Sequence, residues 1–330
     1  MTNPLPVHVY LARHLGDGVM ALPALRLLAE SLAPRPLRVV VRGVVAEMLA
    51  GQGSWTVVDQ GGRGPAVLFA PSLRVALQAA RDGGRPRVGV AGDGRRLLLD
   101  YAVAGPPEPL PLRTGGRRLP RLLVREHQQD AYLRVARAAL EVLGVSAAAG
   151  ASPAVRLMAS SVADAAFVEA GSPSVVLHPW AVGGAAKRWP VERWVGLASA
   201  LPRCVVTGGP GVEDAAFASQ IGEGAGVPVL AGDRALSIPD WVAFASRAGR
   251  VVAPDTGIGH LARAAGVDLV SLFGATDPAR HAPRGAGALA LLDGGGGLPC
   301  HPCYRSTCPE GTHSCMQAIE VADVLARMAP

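Results

Sequence analysis

Along nearly the whole chain, short runs rich in Val, Leu and Ala alternate with stretches of helical length, the pattern of parallel strands joined by crossover helices. An α/β fold follows, because neighbouring parallel strands need a dozen or more residues to bring the chain back, and a helix uses them. In the first half, Val7–Ala12 and Leu37–Val41 read as strands, and Gly18–Leu32, Arg74–Ala80 and Ala131–Leu143 as helices. The second half is more regular. Strands at Ser174–His178, Cys204–Thr207, Val227–Leu230, Arg250–Ala253 and Asp268–Phe273 are separated by helices near Glu192–Ala200, Glu213–Ile221, Pro239–Ser246 and Gly259–Ala265. At 330 residues the chain has roughly twice the length of a usual compact domain, so two units are expected. Gly144–Pro153 is rich in Ala, Gly and Ser, and Gly171-Ser172-Pro173 is a second break before a clear strand. The boundary is placed near Gly171, giving domains 1–171 and 172–330, with a closing helix over Gln317–Met328.

Several classes are excluded early. No apolar run approaches the ~18–20 residues that cross a bilayer, and the first residues lack the layout of a secretory leader, so a cytoplasmic protein that does not span a membrane is expected. Five cysteines, four of them between Cys300 and Cys315, are too few and too clustered to staple a chain of this length, so disulfides are not expected. Residues 1–150 carry 19 basic and 11 acidic side chains, a net +8, against −2 for the rest. That basicity alone permits a nucleic-acid partner. With aromatics at only 4%, however, base stacking has little to work with, and no nucleic-acid partner is expected. Arg113, Arg117, Arg118, Arg121 and Arg125 form a basic run that is either simply solvated or meets an anionic acceptor. Only one basic residue, Lys187, is a lysine, a bias that fits GC-rich codons and makes that lysine stand out.

The chemistry-bearing residues sit where strands turn into helices. Arg13-His14-Leu15-Gly16-Asp17-Gly18 follows the first strand and lacks the third glycine of a dinucleotide turn. Asp17 there is either a helix N-cap or a carboxylate placed to take a proton from a bound hydroxyl. The segment His178-Pro179-Trp180 to Pro190 runs strand, glycine-containing loop, helix, and Lys187 within it supplies a cation beside amides that can approach an anion. Arg188 after Lys187 rules out a Walker loop. Gly208-Gly209-Pro210-Gly211 with Glu213 reads as a turn admitting a nucleotide, Glu213 accepting from ribose hydroxyls, or as a plain loop with an acid in the first helical turn. Asp255-Thr256-Gly257 follows a strand and opens a helix whose first-turn amides suit a diphosphate, with His260 one turn further on.

Taken in order, HLGDGVMALPALRLL, HPWAVGGAAKRWP, the Gly-Gly-Pro stretch before Glu213, DTGIGHLARAAG with LFGATDP, and the Cys-rich end resemble glycosyltransferase family 9, the bacterial heptosyltransferases of lipopolysaccharide-core assembly. The resemblance spans nearly the whole chain. It implies a GT-B fold, two Rossmann-like domains facing a central cleft, with the acceptor on the first and the nucleotide sugar on the second. It also implies inverting transfer from ADP-heptose without a catalytic metal. Asp17 falls on the catalytic base and Lys187 on the lysine that contacts the sugar diphosphate; Gly209, Glu213, Asp255, Thr256, Gly257 and His260 fall on the donor grip. Arg13 and His14 fall beside the acceptor but replace small hydroxyl residues, and Trp180 replaces a glycine or small polar residue. The acceptor implied is a lipopolysaccharide-core-like or other glycan. The alternatives are a small-molecule acceptor in antibiotic or other secondary-metabolite assembly, with another nucleotide sugar as donor, and a non-catalytic sugar-nucleotide binder.

Cys300, Cys303, Cys308 and Cys315 have the spacing C-x2-C-x4-C-x6-C, with His301 and His313 interspersed. Two close pairs resemble a structural zinc or iron knuckle; reduced, packed cysteines are the other reading. Cys204, inside a strand, reads as core.

Overall fold

The computed structural model describes residues 4–92, 94–104, 126–149, 154–155 and 160–328, so the arginine run from Arg113 to Arg125 lies outside the described residues. The first unit contains β1 (Val7–Tyr10), α1 (Leu15–Leu32), β2 (Leu37–Val40), α2 (Val44–Leu49), β3 (Thr56–Val58), β4 (Gly64–Leu68), α3 (Leu73–Arg81), β5 (Gly84–Val90), β6 (Tyr101–Val103) and α4 (Gln128–Val142). Its strands form one parallel sheet in the order β3-β2-β1-β4-β5-β6. The central strand β1 is buried along its length, as a strand covered on both faces must be.

The second unit runs α5 (Ser161–Glu169), β7 (Val175–Leu177), α6 (Val191–Ala200), β8 (Cys204–Thr207), α7 (Val212–Ala225), β9 (Val229–Leu230), α8 (Ile238–Ala248), β10 (Arg250–Pro254), α9 (Gly257–Ala264), β11 (Asp268–Phe273), α10 (Pro278–His281), β12 (Leu289–Asp293), α11 (Ser314–Gln317) and α12 (Val321–Met328). Its sheet, β12-β11-β10-β7-β8-β9, is again all parallel and repeats the order of the first. In both, the first and fourth strands lie side by side and successive connections leave in opposite directions. That switch point is where open α/β sheets bind ligands, beyond the carboxyl ends of the strands.

Helix ends follow local chemistry. Ser237 caps α8, its hydroxyl accepting from the Asp240 amide at 3.3 Å, Pro239 fits the first turn, and Gly249 closes the helix at φ 82°. Below α6 the core is built on Trp189 and Trp194, both fully buried, their rings edge to face at 5.1 Å. The Trp189 indole donates to the Ile319 carbonyl at 2.9 Å, which ties the chain's last turns to this core. Truncating either tryptophan to alanine would cost about 3–5 kcal/mol.

The chain divides into compact units as Met1–Arg13 with Met20–Ser152, and His14–Val19 with Pro153–Pro330. Within the second, α5 packs on α8: Phe167 meets Phe244 at 5.6 Å and Ser160 Oγ meets Asp240 Oδ1 at 2.5 Å. Gly171, at φ 77°, turns the chain from α5 into β7. The closing helix is two helices, α11 and α12, because Ile319 is needed in the core and its carbonyl on Trp189.

Candidate active site

At the switch point of the second sheet, β7 and β10 run side by side, and the loops leaving their carboxyl ends carry Lys187 and Asp255. Sixty-eight residues apart in sequence, the two side chains meet: Lys187 Nζ donates to Asp255 Oδ2 at 2.6 Å and lies 3.5 Å from the Asp255 carbonyl oxygen. A third group comes from the turn after β11, where Thr276 Oγ1 donates to the same Asp255 Oδ2 at 2.7 Å. Asp255 is 6% exposed and the Lys187 side chain 22%, so the carboxylate is interior and the ammonium stands at the rim. Burial pushes the Asp255 carboxyl up, but the Lys187 and His260 charges and the Lys187 and Thr276 hydrogen bonds outweigh it and hold the group below its ordinary value. An ammonium has three N–H donors, and the two contacts of Lys187 are both to Asp255, which leaves donor capacity for an anion.

Lys187 closes a short turn, Ala185–Lys187, that begins at Gly184 with φ 112°. A Cβ at Gly184 would lie 2.3 Å from the Ser306 carbonyl oxygen, so only glycine fits. The Ala186 amide donates to that oxygen at 3.0 Å, which pins the lysine turn to the Cys-rich segment. On β10's side, Thr256 caps α9 with extended backbone and Gly257 starts the helix. The first-turn amides of a helix lack intrahelical partners and carry the positive end of its dipole, as a diphosphate requires. His260 is buried within α9 and interacts electrostatically with Asp255.

In the turn after β8 two acids follow the glycines. Glu213 is exposed at the start of α7, and it is the next residue, Asp214, that holds the glycine loop, accepting from the Gly209 amide at 2.7 Å. Burial raises the Asp214 carboxyl above its ordinary value against that hydrogen bond and the Arg188 charge. Arg188 lies flat over Trp180 at 3.4 Å, and Trp180 in turn meets Phe217 at 5.9 Å. Arg188 Nε and Asp214 Oδ1 are both buried without a hydrogen-bond partner among the described residues. Beneath, His178 Nδ1 and Trp241 Nε1 converge on Thr207 Oγ1 at 3.1 and 3.2 Å, joining the ends of β7 and β8. Burial lowers His178 to about 4, so it is neutral at physiological pH. The sequence signal for Asp214 was the acid three residues past a glycine turn; Thr276 had none beyond lying in LFGATDP.

Asp17 lies inside the first turn of α1, which starts at Leu15, and is therefore no N-cap. His14 Nδ1 is 3.5 Å from Asp17 Oδ2, with the side chains 65% and 28% exposed, and Arg13 is exposed.

The Cys-rich segment is tied down by its own contacts: His301 Nδ1 is 2.8 Å from the Gly274 carbonyl, the Tyr304 amide donates to Ala275 at 2.9 Å, and the Tyr304 ring meets His281 at 5.8 Å. Cys315 is raised by burial and by the charges of Cys303, Cys308 and Cys300. Burial raises Cys308, but the amides of His313, Glu310, Gly311 and Thr312 together outweigh it and lower the thiol. No three His, Cys, Asp or Glu side chains among the described residues form a group that could hold a metal ion. The four thiols are free, as is the buried Cys204.

Residues 121–313, more than half of the chain, match the family model "Glycosyltransferase family 9 (heptosyltransferase)". Lipopolysaccharide heptosyltransferase 1 of Pseudomonas aeruginosa is 37% identical over 98 residues, which is 30% of this chain and 22% of that protein. The fold matches the Escherichia coli ADP-heptose lipopolysaccharide heptosyltransferase II with a TM-score of 0.72 at 18% identity, covering 98% of this chain and 97% of that one. It matches TibC, an iron-containing dodecameric glycosyltransferase from enterotoxigenic E. coli H10407, with a TM-score of 0.55 at 14% identity, covering 99% and 76%. The two sheets are thus the GT-B arrangement, and the chain belongs to glycosyltransferase family 9, the heptosyltransferase family.

Proposed function

We propose that the protein is an inverting glycosyltransferase that moves a heptosyl unit from ADP-heptose to an acceptor hydroxyl on a lipopolysaccharide-core-like or other glycan. The observation that carries this reading is the buried Asp255 carboxylate paired with a rim lysine at the switch point, beside the first turn of α9, in a chain of this family. Displacing a diphosphate from an anomeric carbon needs a proton acceptor for the incoming hydroxyl and stabilisation of the charge growing on the leaving group. In this reading the acceptor oxygen bonds to the anomeric carbon as the bond to the β-phosphate oxygen breaks. The hydroxyl proton passes to the Asp17 carboxylate, and ADP departs with its new charge held by Lys187 and by the Thr256 and Gly257 end of α9. Gly209 and the α7 start, with Glu213, would carry the nucleoside, and His260 would support the diphosphate side. Residues at the switch point of the second sheet would bind the donor, and Arg13 and His14 would bind the acceptor.

The fold shared with an Escherichia coli ADP-heptose heptosyltransferase, and with another E. coli heptosyltransferase bound to ADP-2-deoxy-2-fluoro heptose, supports the choice of donor, as do the placement of Lys187 and its status as the chain's single lysine. The test is calorimetric titration of the purified protein with ADP, followed by transfer assays with ADP-heptose and a panel of glycan and small-molecule acceptors. ADP binding that is lost in Lys187→Ala, with release of ADP only when donor and acceptor are both present, is the expected outcome. Binding of UDP in preference to ADP would overturn the donor assignment. Product formed only on a small-molecule acceptor would move the acceptor to that class.

A further inference from the structure

Asp255 Oδ2 accepts two hydrogen bonds, from Lys187 Nζ at 2.6 Å and from Thr276 Oγ1 at 2.7 Å. The second donor has no part in the reaction as laid out above. Thr276 is 4% exposed, and the turn bearing it is fixed on both sides. Before it, the Gly274 carbonyl lies 2.8 Å from His301 Nδ1 and the Ala275 carbonyl accepts from Tyr304 at 2.9 Å; after it, the Asp277 side chain accepts from the Ala279 amide at 2.9 Å. The backbone of Asp255 is itself fixed by its amide, which donates to the Leu272 carbonyl at 2.9 Å. The hydroxyl is therefore delivered to one place by rigid backbone.

That placement solves a specific mechanical problem. A lysine ammonium is a point charge on a flexible four-carbon stem, and a single contact to a carboxylate oxygen fixes its distance more than its direction. A second donor on the same oxygen fixes the rotation of the carboxylate, and with it the line along which the ammonium is held. We infer that Thr276 is a positioning residue for diphosphate binding: its hydroxyl locks the Asp255 carboxylate, which in turn aims Lys187 at the donor. Asp255 is by the same geometry a positioning residue, since Oδ2 is taken up by two groups of the protein itself. The inference rests on reading Lys187 as the contact to the donor diphosphate.

Losing the hydroxyl has two consequences. The ammonium gains freedom that binding must then remove, and the carboxylate loses a donor that favours its charged form, so it protonates at higher pH. The charged and titratable groups facing Asp255 are Lys187, His260 and His281. The experiment compares the full-length protein with Thr276→Val, which removes the hydroxyl at nearly constant volume, with Thr276→Ser, which keeps it, and with Lys187→Ala, by titrating each with ADP between about pH 5.5 and 8.5. Thr276→Val is expected to weaken ADP by about 5- to 20-fold, in keeping with a lost hydrogen bond to a charged group, and to shift the acid limb of binding to higher pH. Thr276→Ser is expected to lie within about twofold of the parent with the limb restored. In turnover, the valine variant should raise KM for the nucleotide sugar more than it lowers kcat. Should valine prove too destabilising to purify, Thr276→Ala carries the same expectation against the serine variant. If Lys187→Ala weakens ADP while Thr276→Val does not, or if valine and serine behave alike, the positioning role is overturned and the donor reading stands. If Lys187→Ala leaves ADP binding unchanged, the donor reading falls and takes this inference with it.

Discussion

In the first sheet, buried charge is turned inward on the fold. The Arg87 guanidinium donates to the carbonyls of Gly84, at 3.0 Å, and Leu98; Arg95 donates to those of Pro71 at 2.6 Å and Val90 at 3.3 Å. Each neutralises orphan backbone acceptors between strands and loops, as buried donors must if they are not to cost stability. In the second sheet, with the same strand order, the buried charge is a carboxylate gathered with a lysine where β7 and β10 diverge. Two copies of one topology thus differ in where a polar group ends up. An arginine fork that meets carbonyls completes a fold, whereas an ion pair at a switch point, with a donor left over, is built to receive something. Breaking a buried pair by removing one partner leaves an uncompensated charge, so such a pair is a costly arrangement to keep for stability alone.

The largest effect tests whether the first sheet holds anything comparable at its own switch point. If Asp17 takes the acceptor proton, Asp17→Asn should keep ADP affinity and lower turnover by about 10²–10⁴-fold, since asparagine cannot accept that proton. Turnover within a few-fold of the parent would leave the first sheet with a purely architectural edge and send the search for a base elsewhere.

Next in size is acid stability. His178 has its folded pKa lowered from 6.5 to about 4 by burial. A group whose folded pKa is depressed binds more protons when unfolded, so stability is full above about pH 6.5 and falls as pH drops toward 4. The shift is worth roughly 3 kcal/mol over that window. His8 in the first sheet, 1% exposed and with neither ring nitrogen hydrogen-bonded among the described residues, is lowered in the same direction, mainly by burial. Thermal unfolding followed from pH 7.5 to 4 should show the loss. In His8→Leu it should shrink while Tm at pH 7.5 rises, because an unsatisfied polar group is gone. A Tm independent of pH across this range would mean that neither imidazole is buried as described.

Lys187→Ala comes third. It removes a charge-assisted contact of about 1.5–3 kcal/mol to the diphosphate, so the Kd for ADP should rise about 10- to 100-fold. Asp255 would be left buried beside Thr276 without its cation, so Tm should fall as well. An unchanged Tm with weakened ADP would show that the pair exists only for the ligand; the reverse would make it architectural, like Arg87.

How much of this was legible in the sequence depends on how local the signal is. Cys204–Thr207 and Asp268–Phe273 were placed to the residue, because each is an unbroken apolar run between polar turns. Strands β3, β4, β5, β6 and β12 were missed: β3 and β6 have three residues each, at least partly exposed throughout, and carry no periodicity to read, while β4 and β5 contain the Gly and Pro that usually mark turns. A break such as Gly171 carries too little signal to place a boundary, since a glycine turn inside a unit looks the same as one between units. At the site, Lys187 and Asp255 were found by composition and by position after a strand, yet their pairing across 68 residues was not, because only the strand order brings them together. Asp214 went unread for a helical reason: neighbours in a helix point about 100° apart, so the residue after the exposed Glu213 is the one turned onto the Gly209 amide.

The smallest effect is the sharpest on the comparison, because the same chemical change can be made in each sheet. Tyr10, on β1, donates from its hydroxyl to Asp82 Oδ2 at 2.8 Å, and the Gly61 amide donates to that same oxygen at 3.0 Å. This is a carboxylate with two donors, as at Asp255, but its partners are a phenol and a backbone amide of its own sheet, and no lysine stands at its rim. Burial, and then the hydrogen bond to Asp82, raises the Tyr10 hydroxyl well above its ordinary value, so it stays protonated and donating throughout the working range of pH. Tyr10→Phe should therefore cost about 1–2 kcal/mol and lower Tm by a few degrees, with the Kd for ADP unchanged. Thr276→Val, the matching hydroxyl deletion in the second sheet, should move the Kd for ADP by more than its change in Tm accounts for. If Tyr10→Phe weakened ADP as much as Thr276→Val did, a deleted hydroxyl would be acting through general loosening of the protein in both places, and the division between a sheet that completes itself and a sheet that receives a ligand would not hold.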